Sequence, residues 1–370
     1  MPLPSPGTAC FRLFASGHLV HALTSAAMAS RESGSVKTAR SIGTRSGASR
    51  SRRYDVGVRF GIQIEPQFGF TYEDVRDIAR DAESRGFTGL WVSDHLFLDP
   101  NATGTNCLEA WTLLAALARE TRTLRLGTMV TAVSYRNPAL LAKIAAGIDA
   151  MSGGRLEFGI GAGWKQVEYR AYGYEFPPPK VRIDQMVDAI EICLRMWRDE
   201  RPTYRGKYHS VEGAFCMPKP IQKPKLPVWI GGSKPRMLTI MARYADGVNI
   251  NGGPSLEVYT AAMKTLDEAC RAAGRDPGQI GRSHFASCVV AETRRELDAV
   301  LDEVAGRATM TRDEWRRAHT AAIVGTPDEV VERLRGFAKV GCSYFLPVFP
   351  YQKERQMLRV VAEHVMPQLA

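Results

Sequence analysis

The chain has 370 residues, of which 45% are hydrophobic and 24% are charged, a composition typical of a globular protein with one barrel or two smaller domains. No uninterrupted apolar run approaches the roughly 20 residues of a membrane helix, so the composition predicts a soluble protein. The formal net charge is +10, but residues 1–54 hold eight basic side chains against one acidic one. The rest of the chain is nearly neutral and offers no electropositive surface for nucleic acid.

Residues 1–54 differ in composition from the rest of the chain. Segment 25–53 is rich in Ser, Gly, Ala and Arg and has almost no large apolar residues, so it cannot bury enough surface to offset its ordering entropy. We therefore predict a disordered basic N-terminal extension over 1–54 and one folded domain over 55–370. An organellar transit peptide and a mistakenly early start are the alternatives for this extension.

The cysteine and histidine patterns argue against disulfides and metals. Seven cysteines are widely spaced and form no C-x-x-C pair, which is typical of reduced thiols in an intracellular, cytoplasmic protein. The seven histidines show neither H-x-H nor H-E-x-x-H spacing. No metal site is predicted.

From Val58 onward, strand-like and helix-like segments alternate. The first strand is predicted at Val58–Ile64, followed by a helix that Thr71 caps and Gly86 ends. The other strands are predicted at Gly89–Val92, Leu124–Val130, Leu156–Ile160, Val228–Ile230, Gly247–Ile250, His284–Val290 and Tyr344–Phe349. Helices are predicted at about 108–120, 137–151, 182–197, 235–245, 255–273, 294–305, 326–340 and 352–367.

Eight strands that are each followed by a helix predict an α/β fold, a TIM (β/α)8 barrel with insertions after strands 4 and 7. The insertions are 164–181 and 306–325, and the Pro- and Gly-rich segment 199–226 predicts a short hairpin plus extended chain. A doubly wound sheet is the alternative. It would carry G-x-G-x-x-G after the first strand, and segment 64–69 has no such pattern.

Candidate functional residues follow the ends of the predicted strands, which converge at one mouth of a barrel. Asp94 and His95 end the second strand, although an Asp-His pair there is equally compatible with a capping role. Glycines cluster over 159–163 and at Gly231-Gly232, and Ser233 then leads into a helix whose free N–H groups favour a phosphate. Glycine after a strand is also ordinary turn chemistry.

Four motifs together resemble the luciferase-like monooxygenase superfamily, and especially its coenzyme F420-dependent oxidoreductases of actinobacterial type. The motifs are Trp91–His95, Leu126–Val130 with Tyr135–Pro138, Gly153–Trp164, and Pro227–Ser233. The resemblance covers nearly all of 56–370. It implies a barrel that holds coenzyme F420, or alternatively FMN, at the carboxyl ends of its strands.

The resemblance also implies roles for individual residues. His95 is the candidate for catalytic proton transfer, and Asp94 is expected to orient it or to bind the cofactor. A non-proline cis peptide is expected between Met129 and Val130. The implied cofactor-binding residues are Asp94, Met129, Val130, Ala162, Gly163, Trp164, Gly231, Gly232 and Ser233.

One departure from the family bears on the substrate. In some F420-dependent dehydrogenases a glutamate follows the strand-four glycine and serves as proton donor. This chain has Trp164 at that position, and we do not assign the proton-donor role to the nearby Glu168. We therefore expect hydride transfer to or from a small apolar or planar molecule, not a sugar phosphate. An FMNH2-dependent monooxygenase and a non-catalytic flavin- or nucleic-acid-binding protein are the alternatives. Neither nucleic acid nor membrane is an expected partner, and the sequence leaves open whether the protein forms a homodimer.

Overall fold

The computed structural model describes residues 57–250 and 252–369. The predicted extension 1–54 lies outside the described residues. In the described part of the chain, no helix combines the length and the apolar character that crossing a membrane requires. Every cysteine in these two ranges is a free thiol.

The strands form one large sheet and one small one. Their bounds are β1 Arg59–Ile64, β2 Gly89–Val92, β3 Arg125–Thr128, β4 Thr131–Ala132, β5 Leu156–Gly161, β6 Tyr204–Arg205, β7 Ser210–Val211, β8 Val228–Gly231, β9 Gly247–Asn249, β10 Gly281–Val290, β11 Ile323–Gly325 and β12 Tyr344–Val348. Strands β1, β2, β3, β5, β8, β9, β10 and β12 are parallel neighbours, and β10 closes the ring because it pairs with both β9 and β12. The predicted TIM barrel is confirmed.

The helices lie between these strands. Their bounds are α1 Tyr72–Ser84, α2 Ala110–Glu120, α3 Pro138–Met151, α4 Gln166–Ala171, α5 Pro179–Arg198, α6 Pro235–Tyr244, α7 Leu256–Ala272, α8 Arg294–Arg307, α9 Arg312–Ala318, α10 Pro327–Lys339 and α11 Glu354–Val360. Thr71 and Asp74 form a capping box at the start of α1, as the sequence predicts for Thr71. Strands β6 and β7 form the hairpin predicted within 199–226.

Three segments differ from the predicted elements. The third strand is interrupted after Thr128, and its continuation β4 pairs with β5 one residue out of register, since Gly127 pairs with Glu157 but Thr131 pairs with Ile160. This extra residue makes a bulge at the barrel mouth. The second insertion adds β11, a short strand paired with the end of β10. The last predicted helix is divided into α11, a π-helical turn and a final 3-10 turn.

An aromatic layer closes the barrel below its mouth. Trp91 and Trp229 meet edge to face with ring centroids 5.1 Å apart, and Trp91 Nε1 donates to the Tyr344 hydroxyl at 2.9 Å. With Leu346 these side chains form one buried cluster, here called the aromatic floor. A Cβ on Gly127 would lie 2.7 Å from the Trp91 ring, so glycine on the neighbouring strand makes room for the indole. The site residues therefore rest on a rigid base.

Candidate active site

His95 follows β2 at the barrel mouth, and one of its ring nitrogens has a partner. The Nδ1 atom lies 3.0 Å from Oε2 and 3.2 Å from Oε1 of Glu168. No residue of the described ranges hydrogen-bonds to Nε2. The Trp164 ring meets the imidazole edge-on, with centroids 5.6 Å apart, and is itself 64% exposed. The Nε2 atom is therefore the one available for proton transfer.

Glu168, on α4, is fully buried and accepts hydrogen bonds from several elements. Its donors are His95 Nδ1, the Tyr135 hydroxyl at 2.7 Å, Lys165 Nζ at 3.0 Å, and the backbone N–H groups of Leu96 at 2.9 Å and Phe97 at 3.3 Å. Burial alone would raise its pKa, but these hydrogen bonds and the nearby cations lower the pKa to about 2. Glu168 is thus a carboxylate at neutral pH, and it cannot serve as a proton donor there.

Asp94 is held by other partners. Its two oxygens accept from Arg136 at 2.7 and 2.9 Å, and one of them also accepts from the Thr131 hydroxyl at 2.6 Å and the Ala132 N–H at 3.0 Å. The expectation that Asp94 orients His95 is therefore wrong, because the partner of the ring is Glu168. Asp94 instead ties the segment after β3 to the end of β2. A cofactor-binding role for Asp94 stays a prediction.

The glycines around β5 permit close contacts within the protein. A Cβ on Gly159 would collide with the Thr128 carbonyl oxygen, and one on Gly163 would collide with the Tyr169 hydroxyl. Gly163 also has a φ of +74°, which favours glycine. These glycines thus have a structural reason to be present, so their pattern by itself is no evidence of a ligand. Binding of a cofactor at Ala162, Gly163 and Trp164 stays a prediction.

Met129 and Val130 occupy the interruption between β3 and β4. Their peptide bond is cis, as the resemblance implies. Both side chains are half-buried, and Met129 packs against the aromatic floor. Met129 therefore lies between the floor and the mouth, and cofactor binding at Met129 and Val130 stays a prediction.

The Gly231-Gly232 turn joins β8 to α6. The Gly232 N–H donates to the Asn249 carbonyl at 3.0 Å, so the implied binding of a cofactor phosphate at Gly232 cannot use this N–H. Among the residues that the structure describes, no side chain caps the first turn of α6, and Ser233 and Lys234 are exposed beside it. The N–H groups of that turn, not that of Gly232, are the available donors.

Arg182 is a site residue that the sequence analysis did not single out. Its side chain is buried, and its guanidinium lies 3.9 Å from the Phe176 ring centroid. Nη1 donates to the Pro177 carbonyl, but in the described ranges Nε has no partner and no carboxylate pairs with the side chain. Burial lowers its pKa. Tyr169 packs against the same Phe176 ring, with centroids 4.8 Å apart, and within the described ranges the buried hydroxyls of Tyr169 and Ser134 have no hydrogen-bond partner.

This group of side chains fits an anion. A buried guanidinium beside two hydroxyls with unused hydrogen-bonding capacity matches the oxygens of a phosphate. The sequence does contain a signal that Arg182 is buried, because Arg182 lies four residues before Met186 and eight before Ile190, on the buried stripe of α5. An arginine on an apolar stripe indicates that its charge has a buried partner.

Comparisons with known proteins agree with this fold. The chain is 29% identical over 338 residues, 85% of this chain and 98% of the relative, to an F420-dependent glucose-6-phosphate dehydrogenase of Microbacterium testaceum. It is 26% identical over 353 residues, 84% of this chain and 100% of the relative, to a 5,10-methylenetetrahydromethanopterin reductase of Archaeoglobus fulgidus.

A solved structure and a family model extend these findings. The coenzyme F420-dependent tetrahydromethanopterin reductase of Methanopyrus kandleri superposes with a TM-score of 0.70 at 20% identity, over 85% of this chain and all of that one. That likeness supports the barrel fold. The family model described as luciferase-like monooxygenase matches residues 55–344. The chain belongs to the luciferase-like monooxygenase family.

Proposed function

We propose that the protein is an F420-dependent oxidoreductase that transfers a hydride between the cofactor and a small apolar or planar organic substrate. The observation that carries this proposal is the imidazole at the mouth, whose Nδ1 is held by the Glu168 carboxylate while Nε2 has no partner in the described ranges. The names of the F420-dependent relatives support the choice of cofactor. FMN, which also has a planar ring and a phosphate, stays the alternative cofactor.

The residues around the mouth fit a cofactor with a planar ring and a phosphate. Met129 and Val130 would support the ring above the aromatic floor. Arg182 would hold the phosphate together with the hydroxyls of Ser134 and Tyr169, whose unused hydrogen-bonding capacity such a group satisfies. When bound, coenzyme F420 supplies or accepts a hydride at one ring carbon.

His95 manages the proton that accompanies this hydride. Reduction of a carbonyl leaves a negative charge on the oxygen, and the Nε2–H of a protonated ring supplies the proton that neutralises it. In the reverse direction, neutral Nε2 takes the proton from an alcohol as the hydride leaves its carbon. Trp164, edge-on to the ring, limits how the substrate approaches Nε2.

The charges around His95 favour an uncharged substrate. Arg136 is paired with Asp94 and Glu109, and Lys165 donates to Glu168 and to the carbonyls of Phe97 and Leu98. Both cations are therefore engaged by the protein itself and are not available to a phosphate group of the substrate. The exposed face of Trp164 instead offers an apolar surface.

A thermal-shift screen tests the proposal, because a ligand that binds only the folded state raises the melting temperature. Purified protein is heated with F420, FMN, FAD or NADPH. We expect F420 to give the largest rise, with a dissociation constant then measured by fluorescence titration. A rise with FMN and none with F420 would contradict the proposal. A substrate panel of aromatic and aliphatic ketones, with glucose 6-phosphate as the charged comparison, tests the substrate class.

A further inference from the structure

We propose that Glu168 is a positioning residue that fixes the proton of the neutral His95 ring on Nδ1 and so makes Nε2 the atom that transfers protons. This inference rests on the proposed function, in which His95 carries the proton. Glu168 lies 73 positions from His95 in the sequence, and we place it in contact with neither the substrate nor the cofactor.

The donor and acceptor chemistry of the pair is unambiguous. An ionised carboxylate only accepts hydrogen bonds, and both oxygens of Glu168 lie within 3.2 Å of Nδ1. The nitrogen that faces them must therefore carry a hydrogen. In the neutral ring this leaves the lone pair on Nε2, which has no partner in the described part of the chain. A ring with the opposite tautomer would place two acceptors face to face.

The carboxylate is itself held in place. The Tyr135 hydroxyl and Lys165 Nζ donate to its two oxygens at 2.7 and 3.0 Å. The Leu96 N–H donates at 2.9 Å, so the same carboxylate binds the backbone directly after His95. Glu168 thus fixes both the tautomer of the ring and the loop that carries it. Contacts of this kind restrict a proton-transfer group to its productive geometry.

A nitrogen NMR measurement tests the tautomer without cofactor or substrate. In protein labelled with 15N at histidine, we expect the neutral form of His95 to give the signals of a ring protonated at Nδ1. His95→Ala assigns the signals, because it removes them. In Glu168→Gln the amide can donate as well as accept, so we expect a mixture of tautomers.

Glu83→Gln is the matched control. Glu83, near the end of α1, likewise accepts from backbone N–H groups, but its three donors, Arg122, Thr123 and Leu124, precede β3 at the opposite end of the barrel. Any loss of stability common to both variants is therefore structural. We expect the tautomer and the turnover of Glu83→Gln to stay as in the wild type.

Kinetics give the second readout. We expect Glu168→Gln to lower kcat by about 100-fold, within the range that a positioned proton-transfer group contributes, while KM and the F420 dissociation constant change little. A wild-type ring protonated at Nε2, or a folded Glu168→Gln with wild-type kcat, overturns the inference. Should Glu168→Gln fail to fold, the wild-type spectrum still decides. If the protein does not bind F420, the proposed function fails while the spectrum continues to test the pair.

Discussion

The carboxylate of Asp94 and the guanidinium of Arg136 form a two-pronged ion pair, with N–O distances of 2.7 and 2.9 Å. Asp94 lies just after β2 and directly before His95, and Arg136 follows the interrupted third strand. Both side chains are largely buried. The pair therefore fixes the backbone beside the imidazole, and we expect the charge of Asp94 to contribute to stability and not to proton transfer.

Replacing Asp94 should first affect stability. Asp94→Asn leaves the buried Arg136 without its bidentate partner, and breaking a buried ion pair typically costs about 3–5 kcal/mol. Urea unfolding followed by circular dichroism measures the change. Asp199→Asn, which breaks an exposed pair with Arg198, should leave the unfolding midpoint unchanged. An Asp94→Asn variant with wild-type stability and lost turnover would instead place Asp94 in the chemistry.

Replacing His95 should affect turnover far more than cofactor binding. Proton transfer by a positioned group contributes about 100- to 10,000-fold, so His95→Ala should lose that much kcat while its F420 titration stays close to the wild type. His364→Ala, on the exposed side of the C-terminal turn, is the control and should be fully active. Near-normal turnover in His95→Ala would remove this residue from the mechanism.

Replacing Arg182 should weaken F420 binding more than it lowers the stability of the folded protein. A hydrogen bond to a charged group contributes about 1.5–3 kcal/mol, so Arg182→Met should weaken F420 binding by about 10- to 100-fold. The melting temperature of the free protein should fall less than that of Arg155→Met, because among the described residues the Arg182 guanidinium donates to one carbonyl, that of Pro177, and pairs with no carboxylate.

Arg155→Met is the matched control for Arg182→Met. Arg155 donates to the carbonyls of Ala118 and Leu124 at the amino end of the barrel. Its removal should lower stability and leave F420 affinity intact. Equal F420 affinity in Arg182→Met and the wild type would show that the phosphate binds elsewhere.

The buried carboxyl of Glu354 should make stability depend on pH. Its side chain is 4% exposed, and burial, with a smaller contribution from Asp74, raises its pKa from 4.5 to about 8. The folded state therefore holds this proton more tightly than the unfolded state. The stabilisation is complete below about pH 4.5 and is lost as the pH rises through about 8, by at most about 1.4 kcal/mol per pH unit.

Glu354→Gln tests this dependence, because the amide keeps the shape and cannot ionise. Its free energy of unfolding should change less between about pH 5 and 8 than that of the wild type. Glu332→Gln, at an exposed position, should keep the wild-type slope. Identical slopes in Glu354→Gln and the wild type would mean that Glu354 ionises in the folded protein as it does in the unfolded chain.

The sequence predicts the barrel well because each strand and helix has its own local pattern. The run Leu90–Val92 and the capping residue Thr71 identify their elements without reference to the rest of the chain. The position of His95 at the mouth follows from that periodicity, since strand ends converge in a barrel. These predictions are confirmed.

The partners of the site residues were harder to predict. His95 contacts Glu168 and not Asp94 because of the path that the loop after β5 takes. No periodic pattern in the sequence predicts that path. The Gly232 N–H has the appearance of a free donor until the position of Asn249 on the adjacent strand is known. Contacts across neighbouring barrel loops thus require the three-dimensional fold.

The most direct test is the transfer of a hydride from reduced F420 to a substrate in the absence of oxygen. Reduced cofactor, protein and one ketone from the panel are mixed anaerobically, and the return of the visible absorbance of the oxidised cofactor is followed. We predict oxidation that depends on the ketone and that falls at least about 100-fold in His95→Ala. Turnover that requires reduced FMN and oxygen, with none from reduced F420 in either direction of transfer, would contradict the account.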